Sequence, residues 1–255
     1  GVLPSPFKAF HMGPVWRAER AQKGRFREFS QCDVDILGSE DPLCEVEVVT
    51  AILGAFAALG LSGVETVLND RGLLFSLLDG AKVPADKRGE VAILLDKLDK
   101  LGRDKVLSGI EEAAGAGAAR FAESVLLADE PDLESMQAAA PEAAGRLIAI
   151  AGLVRGTTKG GASGAVRLAP SLARGLDYYI GPVFEFRHPS LGSSIGGGGR
   201  YDGLTAKFGG PAAPACGGSI GFERLLMVLQ GDAPPEAPGP TAVVTVFSEE
   251  FRAHS

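Results

Sequence analysis

Four short segments combine cations, carboxylates, tyrosines and glycines at spacings that suit phosphate and carboxylate chemistry. In the first, Arg17-Ala18-Glu19 sets an arginine and a glutamate two residues apart, on one face of a strand. A basic stretch follows, with Arg20, Lys23, Arg25 and Arg27. Phe29 to Ile36 then alternates, with Gln31, Asp33 and Asp35 on one parity and Cys32, Val34 and Ile36 on the other. Two strands joined by a basic hairpin loop account for this pattern, and antiparallel pairing would line the polar groups along one floor. A merely solvated sheet face is the alternative.

The second segment is Arg174-Gly175-Leu176-Asp177-Tyr178-Tyr179, with Val183-Phe184-Glu185 after it. Paired tyrosines beside an arginine offer an aromatic wall, hydroxyls and a planar cation for an anion. They could equally pack as core, with Arg174 paired to Asp177. The third is Gly196-Gly197-Gly198-Gly199-Arg200-Tyr201-Asp202-Gly203-Leu204. Glycines without Cβ let a ligand lie against the backbone. The segment lacks the G-K-[ST] of a phosphate-binding P-loop, and a flexible turn is the other reading. The fourth, Gly221-Phe222-Glu223-Arg224, stands at a strand-to-helix junction. There the helix N-terminus and a guanidinium both favour a phosphate, although arginines near helix starts are common.

These segments need a scaffold. Phe7 to Arg17 reads as a strand and Arg20 to Arg25 as an exposed turn. Val48, Val49, Ile52, Leu53, Phe56 and Leu59 follow helical spacing within Glu45 to Leu59, closed by Gly60. Val64 to Asn69 is a β-branched run. From Leu73 to Val166 the chain turns to alanine-rich helices. They include a stripe of Val91, Leu94, Leu95, Leu98 and Leu101, then Leu107 to Ala128, then Glu142 to Val154 behind Pro141. Gly156 to Gly164 reads as a glycine-rich connector. Strand character returns at Tyr178 to Phe186, and Ser219 to Phe222 leads into a helix from Glu223 to Leu229. Beyond a proline-rich linker (Pro234 to Pro240), Ala242 to Phe247 reads as one apolar strand.

Composition narrows the class. With 255 residues, 45% hydrophobic and 22% charged, the chain suits a globular protein with a substantial core. No apolar run approaches bilayer length and no signal-like start is present, so a cytosolic protein away from membranes is expected. Cys32, Cys44 and Cys216 form no C-x-x-C pair, and His11, His188 and His254 do not stand at metal-ligand spacing. Neither a disulfide framework nor a transition-metal site is indicated. A net charge of −7 argues against nucleic-acid binding by bulk positive field, while the Arg17 to Arg27 patch permits it locally.

Taken in order, the four segments resemble the histidyl-tRNA synthetases, a class II aminoacyl-tRNA synthetase family. Val15-Trp16-Arg17-Ala18-Glu19 through Phe29 and Gln31 looks like class II motif 2 with its loop, and Gly221-Phe222-Glu223-Arg224 like motif 3. Arg174 to Tyr179 and Gly198 to Leu204 resemble the two signatures peculiar to the histidyl enzymes. Cys32-Asp33-Val34-Asp35 and Leu95 to Lys100 look closer to the eukaryote-like branch. The resemblance covers almost the whole chain.

It implies an α/β (α+β) fold, an antiparallel sheet flanked by helices. Residues 1–80 would be the first part of the catalytic domain, 81–165 a helical insertion domain reaching towards the tRNA acceptor arm, and 166–233 its second part. Residues 234–255 would be a linker and the start of an anticodon-binding domain. It further implies ATP as substrate, Mg²⁺, histidine and tRNA(His) as partners, and a two-step reaction through histidyl-adenylate. By carry-over, Arg17 and Arg174 flank the α-phosphate and Arg224 holds the γ-phosphate. Glu19 and Phe29 bind adenine, and Arg25 also contacts ATP. Gln31 takes the α-amino group, Asp35 and Tyr179 read the imidazole, and Tyr178, Tyr201 and Arg174 complete the histidine pocket. Motif 1, which builds the class II dimer, has no counterpart in these residues. The resemblance therefore implies activity for a full-length homodimer and leaves open whether this chain is active alone.

Two other readings compete. A catalytically inactive paralogue that regulates ATP phosphoribosyltransferase keeps the fold but usually loses the catalytic arginines, and Arg17, Arg174 and Arg224 are all present here. A synthetase-like RNA-sensing domain of a regulatory kinase is disfavoured by the same arginines.

Overall fold

The computed structural model describes residues 4–18, 26–157, 165–175 and 178–231. Strands β1 (Phe7–Trp16) and β2 (Glu28–Leu37) form the expected antiparallel pair, with Gly13 opposite Gln31, His11 opposite Asp33 and Ala9 opposite Asp35. The Arg17 N–H extends this ladder to the Arg27 carbonyl at 2.8 Å. The expected turn at Arg20 to Arg25 lies outside the described residues, as do most of the connector up to Gly164 and the strand expected at Ala242 to Phe247.

Helix α1 (Leu43–Ala58) buries Val48, Val49, Ile52, Leu53 and Phe56. It ends at Gly60 (φ +73°), where Leu61 N–H reaches back to the Phe56 carbonyl at 2.9 Å in a Schellman closure. Strand β3 (Glu65–Asp70) follows. Asp70 caps α2 (Arg71–Gly80) by accepting from Gly72 and Leu73 N–H at 2.8 and 3.3 Å. Its other oxygen takes Arg146 Nη2 at 2.6 Å.

The predicted stripe from Val91 to Leu101 forms α3 (Arg88–Asp96) and α4 (Leu98–Leu101), with Val91 and Leu95 buried. The helix expected over Leu107 to Ala128 is instead divided. Gly115 (φ +87°) separates α5 (Arg103–Ala114) from α6 (Ala116–Phe121), which passes into a π-turn over Ala122–Leu126. After α7 (Leu133–Ala139), Pro141 opens α8 (Pro141–Thr157), where its missing N–H costs nothing. Strand β4 (Val166–Leu168) pairs parallel with β3.

One expectation needs correction, and one alternative is settled. The strand expected from Tyr178 begins only at Pro182, as β5 (Pro182–Arg187), because Tyr178 and Tyr179 N–H both bond to the Gly175 carbonyl and so lie in a turn. The glycine cluster is no turn: Gly196–Arg200 is β6, inside the sheet. A short α9 (Leu204–Lys207), then β7 (Ala215–Gly221) and α10 (Phe222–Gln230) complete the described fold.

The seven strands are ordered β1-β2-β7-β6-β5-β3-β4, antiparallel except for β3 with β4. Parity divides the sheet into a core face and a site face. Ile36, Leu68, Phe184 and Phe186 point to the core with Val48, Ile52 and Phe56 of α1 and Leu147 and Ile150 of α8. Helices between β3 and β4 join this same cluster through Val91, Val106, Ile110 and Met136. On the other face a small cluster of Val67, Ala169, Leu172, Tyr179 and Val183 supports the site.

β6 is bare of side chains up to Arg200 and β7 is bare at its centre, with Gly198 opposite Gly218 and Gly199 opposite Gly217. Close packing on both faces requires it. A Cβ at Gly218 would lie 2.9 Å from both Ile52 Cδ1 and the Phe184 ring, and one at Gly199 would lie 2.9 Å from the Tyr179 ring. The strands thus form a thin floor on which larger groups rest directly.

Candidate active site

Three arginines distant in sequence meet above that floor. Arg17, Arg174 and Arg224 line one cavity of about 260 Å³, together with Phe29, Gln31, Tyr178, Ser194, Gly197 and Glu223. Each arginine is oriented by a different element. Arg17 leaves the end of β1 and lies over the Phe29 ring of β2, 3.7 Å from its centroid, a cation–π contact. Arg224 stands in the first turn of α10 and donates through Nη1 to the Ser194 carbonyl at 2.8 Å. Arg174 donates through Nη2 to Ser194 Oγ at 2.5 Å and through Nε to Glu185 Oε1. Burial disfavours its charge, but Glu185 more than compensates, so the Arg174 pKa rises and the cation is secure. Its Nη1 lies 3.3 Å from where a Cβ on Gly197 would stand, so the guanidinium rests flat on β6.

The start of α10 is locked to β2 by a backbone contact. Ser30 N–H on β2 donates to Glu223 Oε1 at 2.8 Å, which fixes the start of α10 beside the β1–β2 pair.

A second hollow, about 490 Å³, adjoins the first and is lined by Gln31, Asp33, Asp35, Tyr178, Tyr179 and Tyr201 over Gly197, Gly217 and Gly218. Gln31, Tyr178, Tyr179 and Gly197 line both. Tyr201 O–H donates to Asp35 Oδ1, and Gln31 Nε2 donates to Asp33 Oδ1 at 3.0 Å. The Tyr178 and Tyr179 rings meet at a tilt of 52° with centroids 4.2 Å apart, and the Tyr201 ring lies 6.5 Å from Tyr179. Arg71 Nη1 donates to the Tyr179 carbonyl at 2.6 Å and holds that turn in place. Gly175 (φ +65°) is required there, since a Cβ would lie 2.0 Å from the Tyr179 ring.

Electrostatics suit a cationic, hydrogen-bonding ligand in the second hollow. Burial raises the pKa of Asp35, opposed by the Tyr201 hydroxyl. Burial likewise raises Asp33, with Gln31 opposing and Asp35 adding to the rise. Burial also pushes the Tyr179 and Tyr201 phenols far above their usual range, so both remain hydrogen-bond donors.

The structure therefore brings together Arg17, Phe29, Gln31, Asp35, Arg174, Tyr178, Tyr179, Tyr201 and Arg224. Glu19 and Arg25 lie outside the described residues. So does Asp177, and the described ionic partner of Arg174 is Glu185. Sequence reasoning missed Ser194, which holds Arg174 by its hydroxyl and Arg224 by its carbonyl. It also gave no role to Gly217, whose lack of a side chain makes room for Asp35. The Cys-Gly-Gly-Ser pattern opposite an acidic strand was the available signal for Gly217. None marked Ser194.

Comparison with known proteins is decisive at this point. The family model described as histidyl-tRNA synthetase matches residues 3–225. This chain belongs to the histidyl-tRNA synthetase family. It is 40% identical to a histidine–tRNA ligase of Leifsonia xyli subsp. xyli, over 96% of this chain and 58% of that protein. Identity to the histidine–tRNA ligase of Aeropyrum pernix is 39%, over 88% of this chain and 52% of that protein. The crystal structure of the histidyl-tRNA synthetase from Nostoc sp. PCC 7120 superposes with a TM-score of 0.74 at 26% identity, covering 89% of this chain and 55% of that one. An ATP phosphoribosyltransferase regulatory subunit/histidyl-tRNA synthetase from Bacillus halodurans gives 0.75 at 21% identity, over 89% of this chain and 60% of that one, a likeness of fold alone. The chain thus spans little more than half the length of the curated histidyl-tRNA synthetases it matches.

Proposed function

We propose that the full-length protein is a histidine–tRNA ligase that activates histidine with ATP and passes the histidyl group to tRNA(His), as a cytoplasmic homodimer. The convergence of Arg17, Arg174 and Arg224 on one cavity beside the Asp35–Tyr201 pocket carries this reading. We read 81–165 as an insertion domain and 166–233 as the second part of the catalytic domain, with 234–255 leading to an anticodon-binding domain.

In the first step a histidine carboxylate oxygen attacks the α-phosphorus of ATP in line, and the bond to the β-phosphate oxygen breaks to release pyrophosphate. Negative charge spreads over the equatorial oxygens as this happens, and positioned guanidiniums stabilise it more than they stabilise the ground state. Arg17 and Arg174 take the two sides of the α-phosphate, and Arg224 takes the γ-phosphate. Adenine stacks on the Phe29 face away from Arg17 and is bonded by Glu19, with Arg25 contributing from the loop. Gln31 Oε1 accepts a hydrogen bond from the α-amino group, and the Asp35 carboxylate and Tyr179 hydroxyl engage the imidazole. Tyr178 and Tyr201 wall the pocket. In the second step a ribose hydroxyl of the tRNA attacks the histidyl carbonyl and AMP leaves.

Among the described residues no three of His, Cys, Asp and Glu cluster as a preformed metal cage. Glu223 is, among the described residues, the carboxylate on the wall of the arginine cavity. That donor set fits a Mg²⁺ carried in on phosphate oxygens rather than one held by the protein alone. Bound there, it would neutralise charge on the departing pyrophosphate.

ATP–pyrophosphate exchange by the full-length protein tests the reading, with histidine compared against histidinol. Histidine-dependent exchange is expected. Its absence from a folded full-length sample would favour the regulatory paralogue.

A further inference from the structure

Glu185 on β5 connects Arg174 to a part of the fold outside the two hollows. It is buried, and each of its oxygens holds a different guanidinium: Oε1 pairs with Arg174, and Oε2 accepts from Arg187 Nε at 3.1 Å. Arg187 in turn reaches Asp99 Oδ2 on α4 at 3.4 Å. Arg174, Glu185, Arg187 and Asp99 thus form a row of alternating charge. It runs from the arginine cavity to the helical segment between β3 and β4.

Little else fixes Glu185. It and Asp99 line both a hollow of about 490 Å³ beside β3 and the broad cleft of about 780 Å³ that Arg17, Arg174 and Arg224 share. A carboxylate bordered by open space takes its rotamer from its ionic partners. Arg187 therefore has a definite effect. Without it, a buried carboxylate oxygen would lose its cation, and Glu185 would turn both oxygens onto Arg174 in the bidentate geometry that arginine prefers. That turn would rotate the Arg174 guanidinium off the floor of β6 and away from Ser194.

We infer that Arg187 and Asp99 are positioning residues for Arg174, holding Glu185 in its one-point contact and tying the setting of that arginine to α4. This rests on the reading of Arg174 as the cation opposite Arg17 at the α-phosphate. Such a role shows itself more in turnover than in substrate binding, because Arg174 is only one of several groups that hold histidine and ATP.

The test is histidine-dependent ATP–pyrophosphate exchange by full-length Asp99→Asn, Arg187→Gln and the double variant, with thermal unfolding measured alongside. Asp99 is half-exposed, so its isosteric substitution keeps the test independent of folding. Arg187→Gln is expected to lower kcat about 10-fold and Asp99→Asn about 3-fold, with both KM values within about 2-fold of wild type. The double variant should match Arg187→Gln alone, because Asp99 acts only through Arg187. Unchanged kcat in Arg187→Gln and Asp99→Asn would overturn the inference. So would losses confined to KM, or single effects that multiply in the double variant. If wild type itself shows no histidine-dependent exchange, the functional reading has failed instead, and the two failures are thereby told apart.

Discussion

Gly217 and Asp35 face each other across the β2–β7 ladder so closely that a methyl group on Gly217 would lie 1.9 Å from Asp35 Oδ1. The carboxylate occupies the volume that any other residue on β7 would fill. Gly217→Ala should therefore push Asp35 out of the second hollow and away from Tyr201. We expect the KM for histidine to rise at least about 10-fold, with the KM for ATP changed far less, read by exchange kinetics. An equal rise in both would mean that the strand, rather than the carboxylate, had moved.

Arg174→Ala should reduce adenylate formation far more than it weakens histidine binding. A guanidinium whose contact strengthens as charge spreads over the α-phosphate oxygens contributes chiefly to the transition state, and losing such a donor costs on the order of 10²–10³ in kcat. Single-turnover adenylate formation and equilibrium histidine binding separate the two effects. Equal losses in both would show that Arg174 binds the ground state.

The parts of the fold that were legible in sequence are those in which side chains alternate or recur. Gln31, Asp33 and Asp35 against Cys32 and Ile36 announced β2, and the spacing from Val48 to Phe56 announced α1. β6 was illegible for a physical reason: a strand of four glycines has no side chains to alternate, and isolated glycines weaken strands, so the run reads as a turn. Only the packing of Phe184 on one face and Tyr179 on the other shows why nothing larger fits. Tyr178 and Tyr179 misled in the opposite direction, because their aromatic rings favour strands while the Gly175 carbonyl holds them in a turn. The grouping of the three arginines followed from resemblance, not spacing, and Ser194 left no trace because half of its role is carried by a carbonyl.

Asp35 illustrates a conflict between stability and recognition. Burial raises its pKa, so the folded protein holds this proton more tightly than the unfolded chain does. The corresponding stabilisation is fully present below the unfolded value near 3.8 and is lost as pH rises through the raised folded value. Burial thus works against the ionised form of this carboxylate, which a cationic ligand would favour. Asp35→Asn keeps an acceptor for Tyr201 and removes the charge. It should unfold at a temperature no lower than wild type at pH 7, with wild type gaining relative to it as pH falls towards 4. Histidine should lose its advantage over neutral analogues in exchange assays. A defect confined to ATP would undo the assignment.

A buried ion pair on the core side of the sheet is built for rigidity. Arg200, next to Tyr201, donates to Glu45 of α1 through Nε at 2.5 Å and Nη2 at 2.8 Å, and both side chains are buried. Burial works against the Arg200 cation and Glu45 outweighs it, so the Arg200 pKa rises and that cation is secure. Removing Glu45 takes away the bidentate partner of a buried guanidinium and leaves it Asp202 Oδ1 at 3.2 Å and the Ser39 and Asp41 carbonyls. Glu45→Ala should therefore cost about 3–5 kcal/mol in denaturant unfolding, whereas Glu45→Leu with Arg200→Met should cost clearly less than either change alone. The double variant also isolates the positioning of Tyr201. If it folds yet binds histidine weakly, the ion pair sets the β6 terminus that delivers the Tyr201 hydroxyl to Asp35. If it binds histidine normally, the pair stabilises the fold without shaping the pocket.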